Sequence, residues 1–258
     1  MIPKIIHLCW LSGDPYPDKV KECIATWKVY LKDYEIWVWD TNRFDIDSTI
    51  WTKQAFENKK YAFAADYIRL YALFMYGGIY LDSDVIVYKS FDELLHLPYF
   101  IGQSYSGAFE AAVIGAERGT LWIGDILRRY DNRTFIKTDG SFDTVELPKI
   151  FSMVLKENQY KFYRLHSIVD YSQSADFVYV FDEDFFNSRN CIEVRQTEKS
   201  FSAHNYLGSW THPKKSNPFK SIIYTLFPKF VIVSVLSILH NTILRKRIRK
   251  YEPKFENE

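Results

Sequence analysis

Ala64-Ala-Asp-Tyr-Ile-Arg-Leu-Tyr-Ala-Leu-Phe-Met-Tyr-Gly-Gly-Ile-Tyr-Leu-Asp-Ser-Asp84 is the stretch on which the fold turns. Its apolar residues recur at helical spacing, so a helix is expected over Ala62–Tyr76, with Gly77-Gly78 supplying a C-cap and a turn. Ile79-Tyr-Leu81 then resumes as a strand, and Asp82-Ser-Asp84 falls where that strand leaves the sheet. Val85-Ile-Val87 continues as a second short extended piece. Ligands of α/β sheets gather at strand carboxyl ends, which makes Asp82 and Asp84 candidates for chemistry.

Upstream, Ile2–Trp10 reads as a buried first strand, Asp18 to about Leu31 as a helix, and Tyr34–Trp39 as a second strand. Together they predict a βαβ opening. A further helix is expected around Ile50–Asn58. Downstream, strands are expected at Tyr99–Tyr105, Ala111–Ala116, Phe162–Leu165 and Phe177–Phe181, and helices at Leu121–Tyr130 and Val145–Asn158. His7 lies inside a β run and reads as a satisfied core histidine.

The chain has 258 residues, 47% hydrophobic and 25% charged, which excludes disordered and collagen-like classes. Its 33 Lys+Arg balance 32 Asp+Glu, but residues 213–258 hold ten basic and three acidic residues against 23 and 29 in 1–212. Two units follow: a body over 1–212 and a basic tail over 213–258. Cys9, Cys23 and Cys191 are odd in number and far apart, as suits a reduced, cytoplasmic protein. The N-terminus lacks a basic run and does not read as a signal peptide.

An Asp-x-Asp pair can hold a divalent cation that neutralises the phosphates of a nucleotide diphosphate. With 18 Asp in the chain, chance supplies roughly one such pair, and three are present. Asp45/Asp47 lies in a polar loop and Asp182/Asp184 in a turn cluster; only Asp82/Asp84 follows a long helix, a double glycine and an apolar strand.

Beyond these residues, the chain resembles the family 32 glycosyltransferases, the sugar-binding DXD group, and is similar to the glucosyltransferase domain of large clostridial toxins. The resemblance is carried by Ile2-Pro-Lys-Ile-Ile-His-Leu-Cys-Trp10, by the 64–84 stretch, and more loosely by His204-Asn-Tyr-Leu-Gly-Ser-Trp210. It implies an α/β fold of the GT-A type with a mixed central sheet, a nucleotide diphosphate sugar donor, Mn²⁺ or Mg²⁺, and retention of anomeric configuration. Carried onto this sequence, it makes Asp84 a direct metal ligand and gives Asp82 the ribose and the metal. Asp66 and Arg69 then hold the donor sugar, and Trp10 stacks on the base. His204 becomes a further metal ligand, and Ser209 with Trp210 hydrogen-bonds the leaving phosphate. Asp66 and Arg69 stand at i and i+3, one helical face, where the bland reading is an intrahelical ion pair. Neither a covalent nor a front-face retaining route is selected by the residues. The family's Thr-Gly-Pro stretch is replaced by Asp139–Pro148, where a solvated loop explains Asp139, Asp143 and Glu146 as well as acceptor binding does.

In the tail, Ile222–Leu244 is largely apolar and Arg245–Lys250 is basic at five of six positions. The uninterrupted apolar run Phe230–Leu244 would span about 22 Å as a helix, short of the roughly 30 Å hydrocarbon core. Ser234, Ser237, Asn241 and Arg245 share one stripe, so the segment reads as an amphipathic helix lying on an anionic membrane surface. Packing of that helix on the body is the alternative. Nucleic acid is not expected as a partner, since the basic run lacks interleaved aromatics.

The expected function is hexosyl transfer from a nucleotide diphosphate sugar, UDP-sugars favoured, to a saccharide acceptor, possible lipid linkage included, in bacterial capsule or O-antigen synthesis. The location expected is the cytoplasmic face of the membrane, with peripheral attachment. Two alternatives stand beside it: a glycoside hydrolase with a carboxylate pair about 5–10 Å apart, and a non-catalytic sugar-binding or scaffold protein.

Overall fold

The computed structural model describes residues 1–104, 107–172, 177–187, 196–207 and 253–257. Ser209, Trp210, Cys191 and the apolar and basic stretches of the expected tail lie outside them.

The chain opens as the βαβ unit expected. Strand β1 (Ile5–Cys9) buries its centre, helix α1 (Asp18–Tyr30) turns Val20, Cys23 and Trp27 inward, and β2 (Glu35–Trp39) pairs parallel with β1. Thr49 caps helix α2 (Ile50–Glu57) by accepting the Thr52 N–H. Helix α3 (Tyr61–Tyr76) leads into β3 (Gly78–Leu81), which pairs parallel with β1 on the side opposite β2. The chain thus reverses direction of travel at β1, and in such folds ligands gather in the crevice outside the strand ends at that point, here beyond Cys9 and Leu81.

The short strand β4 (Val85–Val87) leaves the main sheet. Strand β5 (Tyr99–Gln103) pairs antiparallel with β6 (Phe109–Ala116), which also runs antiparallel to β3. Helices α4 (Leu121–Arg128) and α5 (Leu147–Glu157) follow; α5 starts later than its sequence pattern suggested because Pro148 suits the first helical turn. Strands β7 (Lys161–Leu165) and β8 (Phe177–Phe181) pair in parallel and complete a seven-stranded mixed sheet of order β2-β1-β3-β6-β5-β8-β7. The α/β class with a mixed central sheet is the one the family resemblance implied.

Two elements were not anticipated: the one-turn helix α6 (Glu183–Phe186) and strand β9 (Ser202–His204), which pairs antiparallel with β4. Aromatic packing fixes that pairing. Phe201, just before β9, stacks on Phe91 at 5.8 Å, and Phe91 in turn stacks on Phe100 of β5. Trp27 of α1 donates its indole N–H to the Val85 carbonyl at 2.8 Å, clamping β4 from the other side. Of the expected tail, residues 253–257 are described and lie along β7: Phe255 is buried and bridges Phe162, and the Arg164 guanidinium sits 4.6 Å over its ring.

The double glycine is a packing requirement as well as a helix stop. Gly77 at φ 68° ends α3 with its N–H on the Leu73 carbonyl, and Gly78 follows at φ 111°. A Cβ on Gly78 would stand 2.6 Å from the Ile5 carbonyl oxygen and 2.9 Å from His7 Nε2. The His7 ring is itself fully satisfied: Nε2 lies 2.7 Å from the Gly77 carbonyl and Nδ1 accepts from Trp39 Nε1 at 3.1 Å. Burial drives its pKa down to about 4, so it is the neutral core histidine expected. Gly78→Ala should therefore cost about 2 kcal/mol or more, strain and overlap combined. Gly140→Ala, at φ 79° with open space around it, should cost less. Chemical denaturation of the two variants checks this, and equal midpoints would contradict the packing account.

Candidate functional site

Three chain segments meet at the carboxyl ends of β1 and β3. The first is α3, whose buried face includes Asp66 and Arg69. Arg69, 6% exposed, donates from Nη1 to the Ala111 carbonyl at 2.8 Å. Its Nη2 lies 3.1 Å from Asp66 Oδ1 and 3.3 Å from Asp82 Oδ1, and the guanidinium rests 4.5 Å over the Tyr80 ring. The ion-pair reading of the i, i+3 spacing is what the structure shows, with Asp66 and Arg69 paired on the helix beside Asp82. Both Arg69 terminal nitrogens have protein partners, so its visible work is to hold two carboxylates in place. Burial pushes the Asp66 carboxyl up to about 7, with Arg69 opposing and Asp82 and Glu146 adding to the rise. Near neutrality that group can accept or donate a hydrogen bond.

The second segment is the turn after β3. Asp82 is fixed by its N–H on the Ala112 carbonyl (2.9 Å) and by the Tyr80 hydroxyl on Oδ1 (2.8 Å). Asp84 is 9% exposed; its Oδ2 accepts the Leu207 N–H at 2.8 Å and its carbonyl accepts the Asn205 N–H at 3.0 Å.

The third is β9, whose register Val85↔His204 sets the imidazole beside Asp84. His204 Nε2 stands 3.2 Å from Asp84 Oδ1, and one ligand atom from each of Asp82, Asp84 and His204 falls within 4.8 Å of the others. Two hard carboxylates and one imidazole are a donor set that suits Mn²⁺ and accepts Mg²⁺. The site fits the cation that the sequence resemblance implied. Burial alone would lower the His204 pKa, but the Glu110 and Asp84 carboxylates outweigh it and push it up to about 10. Burial likewise opposes ionisation of Asp84, and His204 with the Leu207 N–H still holds it below the usual carboxylate range.

Glu110 on β6 was missed by the sequence reading, which began that strand at Ala111. It is 4% exposed, and its Oε1 lies 3.3 Å from His204 Nδ1, within ion-pair reach though off the hydrogen-bond direction. The signal available was one carboxylate inside the apolar run Phe109–Ala116. Trp10 lies half-buried just past β1, its indole N–H on the Asp14 carbonyl at 2.7 Å and its ring edge-on to Tyr16 at 4.7 Å. That fixes its ring just past the end of β1.

The other acidic candidates have structural partners. Asp45 accepts the Asp47 N–H and Asp47 pairs with Lys53; Asp182 pairs with His166. Asp139 closes a turn onto Ser141, and Asp143 takes two hydrogen bonds from Arg133. These agree with the loop and turn readings.

Residues 17–101 match the family described as "Glycosyltransferase sugar-binding region containing DXD motif". Inositol phosphoceramide mannosyltransferase 3 of Schizosaccharomyces pombe is 30% identical over 140 residues, 52% of this chain and 38% of that protein. Mannosyl phosphorylinositol ceramide synthase SUR1 of Saccharomyces cerevisiae is 31% identical over 143 residues, 53% of this chain and 37% of that protein. The chain thus spans under two fifths of the length of these relatives. A solved structure described as PaToxG glycosyltransferase is 21% identical, with a TM-score of 0.47, covering 61% of this chain and 69% of that one. The family match and the two relatives bear out the resemblance to family 32 glycosyltransferases.

The His204 pKa carries a stability consequence. A histidine raised from 6.5 to about 10 contributes stability that is complete below pH 6.5 and is lost as pH climbs through 10. In chelator-treated protein the melting temperature should fall from pH 7 to 10 by more in the wild type than in His204→Gln. Parallel curves would refute the paired imidazolium.

Proposed function

We infer that this chain, which resembles the family 32 glycosyltransferases and carries their DXD sugar-binding region, transfers a hexosyl group from a nucleotide diphosphate sugar to a hydroxyl acceptor, with retention at the anomeric carbon. The observation that carries the reading is the convergence of Asp82, Asp84 and His204 beside the Asp66–Arg69 pair, at the sheet edge where β1 and β3 end. The body over 1–212 is the catalytic unit in this reading.

Each described residue has a task that its setting supports, and Ser209 and Trp210, outside the described residues, keep the one the resemblance gives them. Asp82, Asp84 and His204 would hold Mn²⁺ or Mg²⁺, which when bound supplies positive charge against the departing diphosphate. Asp66, titrating near neutrality, would receive the sugar hydroxyls. Arg69 orients Asp66 and Asp82 from beneath. Trp10, pinned by Asp14 and Tyr16, would offer its ring to the base, and Ser209 and Trp210 would donate to the leaving phosphate.

The relatives' names speak of mannosyl transfer and inositol phosphoceramide, so GDP-mannose stands beside the UDP-hexoses as donor, and a lipid-borne acceptor beside the bacterial capsule or O-antigen saccharide. A lipid-borne acceptor agrees with the amphipathic and basic tail, which would bring the protein to the cytoplasmic membrane face.

Incubation with a panel of UDP- and GDP-sugars, with and without Mn²⁺, should release nucleotide diphosphate from one donor in a metal-dependent way. Asp84→Asn should reduce that release by about 100-fold or more while leaving the protein folded. Full turnover by the variant would remove Asp84 from the metal site, and silence across the panel with lipid and saccharide acceptors present would overturn the transferase reading. Replacing Arg245, Lys246, Arg247, Arg249 and Lys250 by Gln should weaken sedimentation with anionic vesicles; undiminished binding would dismiss the basic run as the membrane contact.

A further inference from the structure

A carboxylate taken out of water is costly unless its lone pairs are met. Glu110, at 4% exposure inside a strand whose every residue is buried, is met on all sides. Oε1 accepts the Ala112 N–H at 3.0 Å and faces His204 Nδ1 at 3.3 Å; Oε2 accepts from Asn187 Nδ2 at 2.6 Å and from the Tyr206 hydroxyl at 3.0 Å. These partners come from three separate places: β6 itself, the residue after α6, and the strand end that carries His204. Tyr206 reaches its place through a backbone at φ 50°, uncommon for a tyrosine, and lays its ring 4.0 Å from the His204 ring.

We propose that Glu110 is a positioning residue that fixes the ring of His204 and keeps a proton on Nδ1, so that a cation held by Asp82 and Asp84 displaces the other proton from Nε2 to solvent and takes up its lone pair. The inference rests on the metal-assisted reading above and deepens it. An imidazole has two nitrogens, and the one that meets a carboxylate outside the metal site keeps the proton, leaving the other to ligate. Asp84, beside Nε2, is itself one of the candidate cation ligands, whereas Glu110, facing Nδ1, lies outside that trio. The Tyr206 hydroxyl and Asn187 hold the carboxylate, the carboxylate holds the ring, and the Tyr206 ring limits its tilt. A purely structural role would need the same burial and the same Asn187 and Tyr206 bonds, but would place no demand on which histidine nitrogen bears the proton.

Glu110→Gln separates the two. With its amide oxygen on Asn187 and Tyr206, the variant gives up the Ala112 N–H bond at the Oε1 position and turns its NH₂ toward Nδ1. That forces Nδ1 to accept and moves the ring proton to Nε2, the nitrogen turned toward the aspartates. Mn²⁺ affinity of the full chain, measured by electron paramagnetic resonance or calorimetry without donor, is the readout. Glu110→Gln, folded by circular dichroism, should bind Mn²⁺ about 10–100-fold more weakly. Wild-type affinity in the folded variant would overturn the proposal. Should Glu110→Gln fail to fold, Tyr206→Phe decides: Mn²⁺ binding several-fold weaker supports the proposal, and unchanged binding overturns it. Loss of Mn²⁺ by Asp84→Asn but not by Glu110→Gln would sink this inference and leave the metal-assisted reading standing. A wild-type chain that releases nucleotide without metal and binds no Mn²⁺ would sink both.

Discussion

A single buried guanidinium sets the terms for the site. Arg69 lies beneath the crevice with Asp66, Asp82 and the Ala111 carbonyl around it and the Tyr80 ring below. Removing one member of such a buried arrangement leaves uncompensated charge, at a cost of about 3–5 kcal/mol. Arg69 therefore ties helix α3, the turn after β3 and the start of β6 into one rigid body, and the carboxylates it holds cannot drift to separate positions in water. The helix spacing that made Asp66 and Arg69 look like an ordinary ion pair is the same spacing that makes the cross-link possible.

The topology explains why so much charge is tolerated in one place. Strand β6 runs antiparallel to β3, so its first residues, not its last, come to the edge where β1 and β3 end. Glu110, Ala111 and Ala112 thereby reach the crevice from a strand that is otherwise apolar. The main-chain carbonyls of Ala111 and Ala112 anchor Arg69 and Asp82, while the Glu110 side chain offsets the charge of His204.

Local sequence made legible what local forces decide. The α3–Gly-Gly–β3 passage is readable because helical periodicity, a positive-φ stop and an apolar strand follow one another without interruption, and Asp82/Asp84 stands out by that context alone. Val85–Val87 was recognisable as extended, but its departure from the main sheet was not, because pairing with Ser202–His204 is decided by Phe91, Phe100 and Phe201 stacking across the core. Ser-Ala-His has no period to read. Glu110 was hidden for a related reason: one acidic residue at the margin of an apolar run looks like the strand's boundary, and only the antiparallel register turns it inward.

The β4–β9 pairing joins Val85 to His204 across more than a hundred residues of intervening chain. Closing a loop of that length is slow and comes at an entropic cost that neighbouring contacts do not share. Asp82 finds its partners Arg69, Tyr80 and Ala112 within the N-terminal half, whereas Asp84 gains the Asn205 and Leu207 N–H groups, and the imidazole its place, only when β9 docks. The candidate trio is thus assembled only through this long-range pairing, and a chain lacking β9 would carry the aspartate motif without its imidazole.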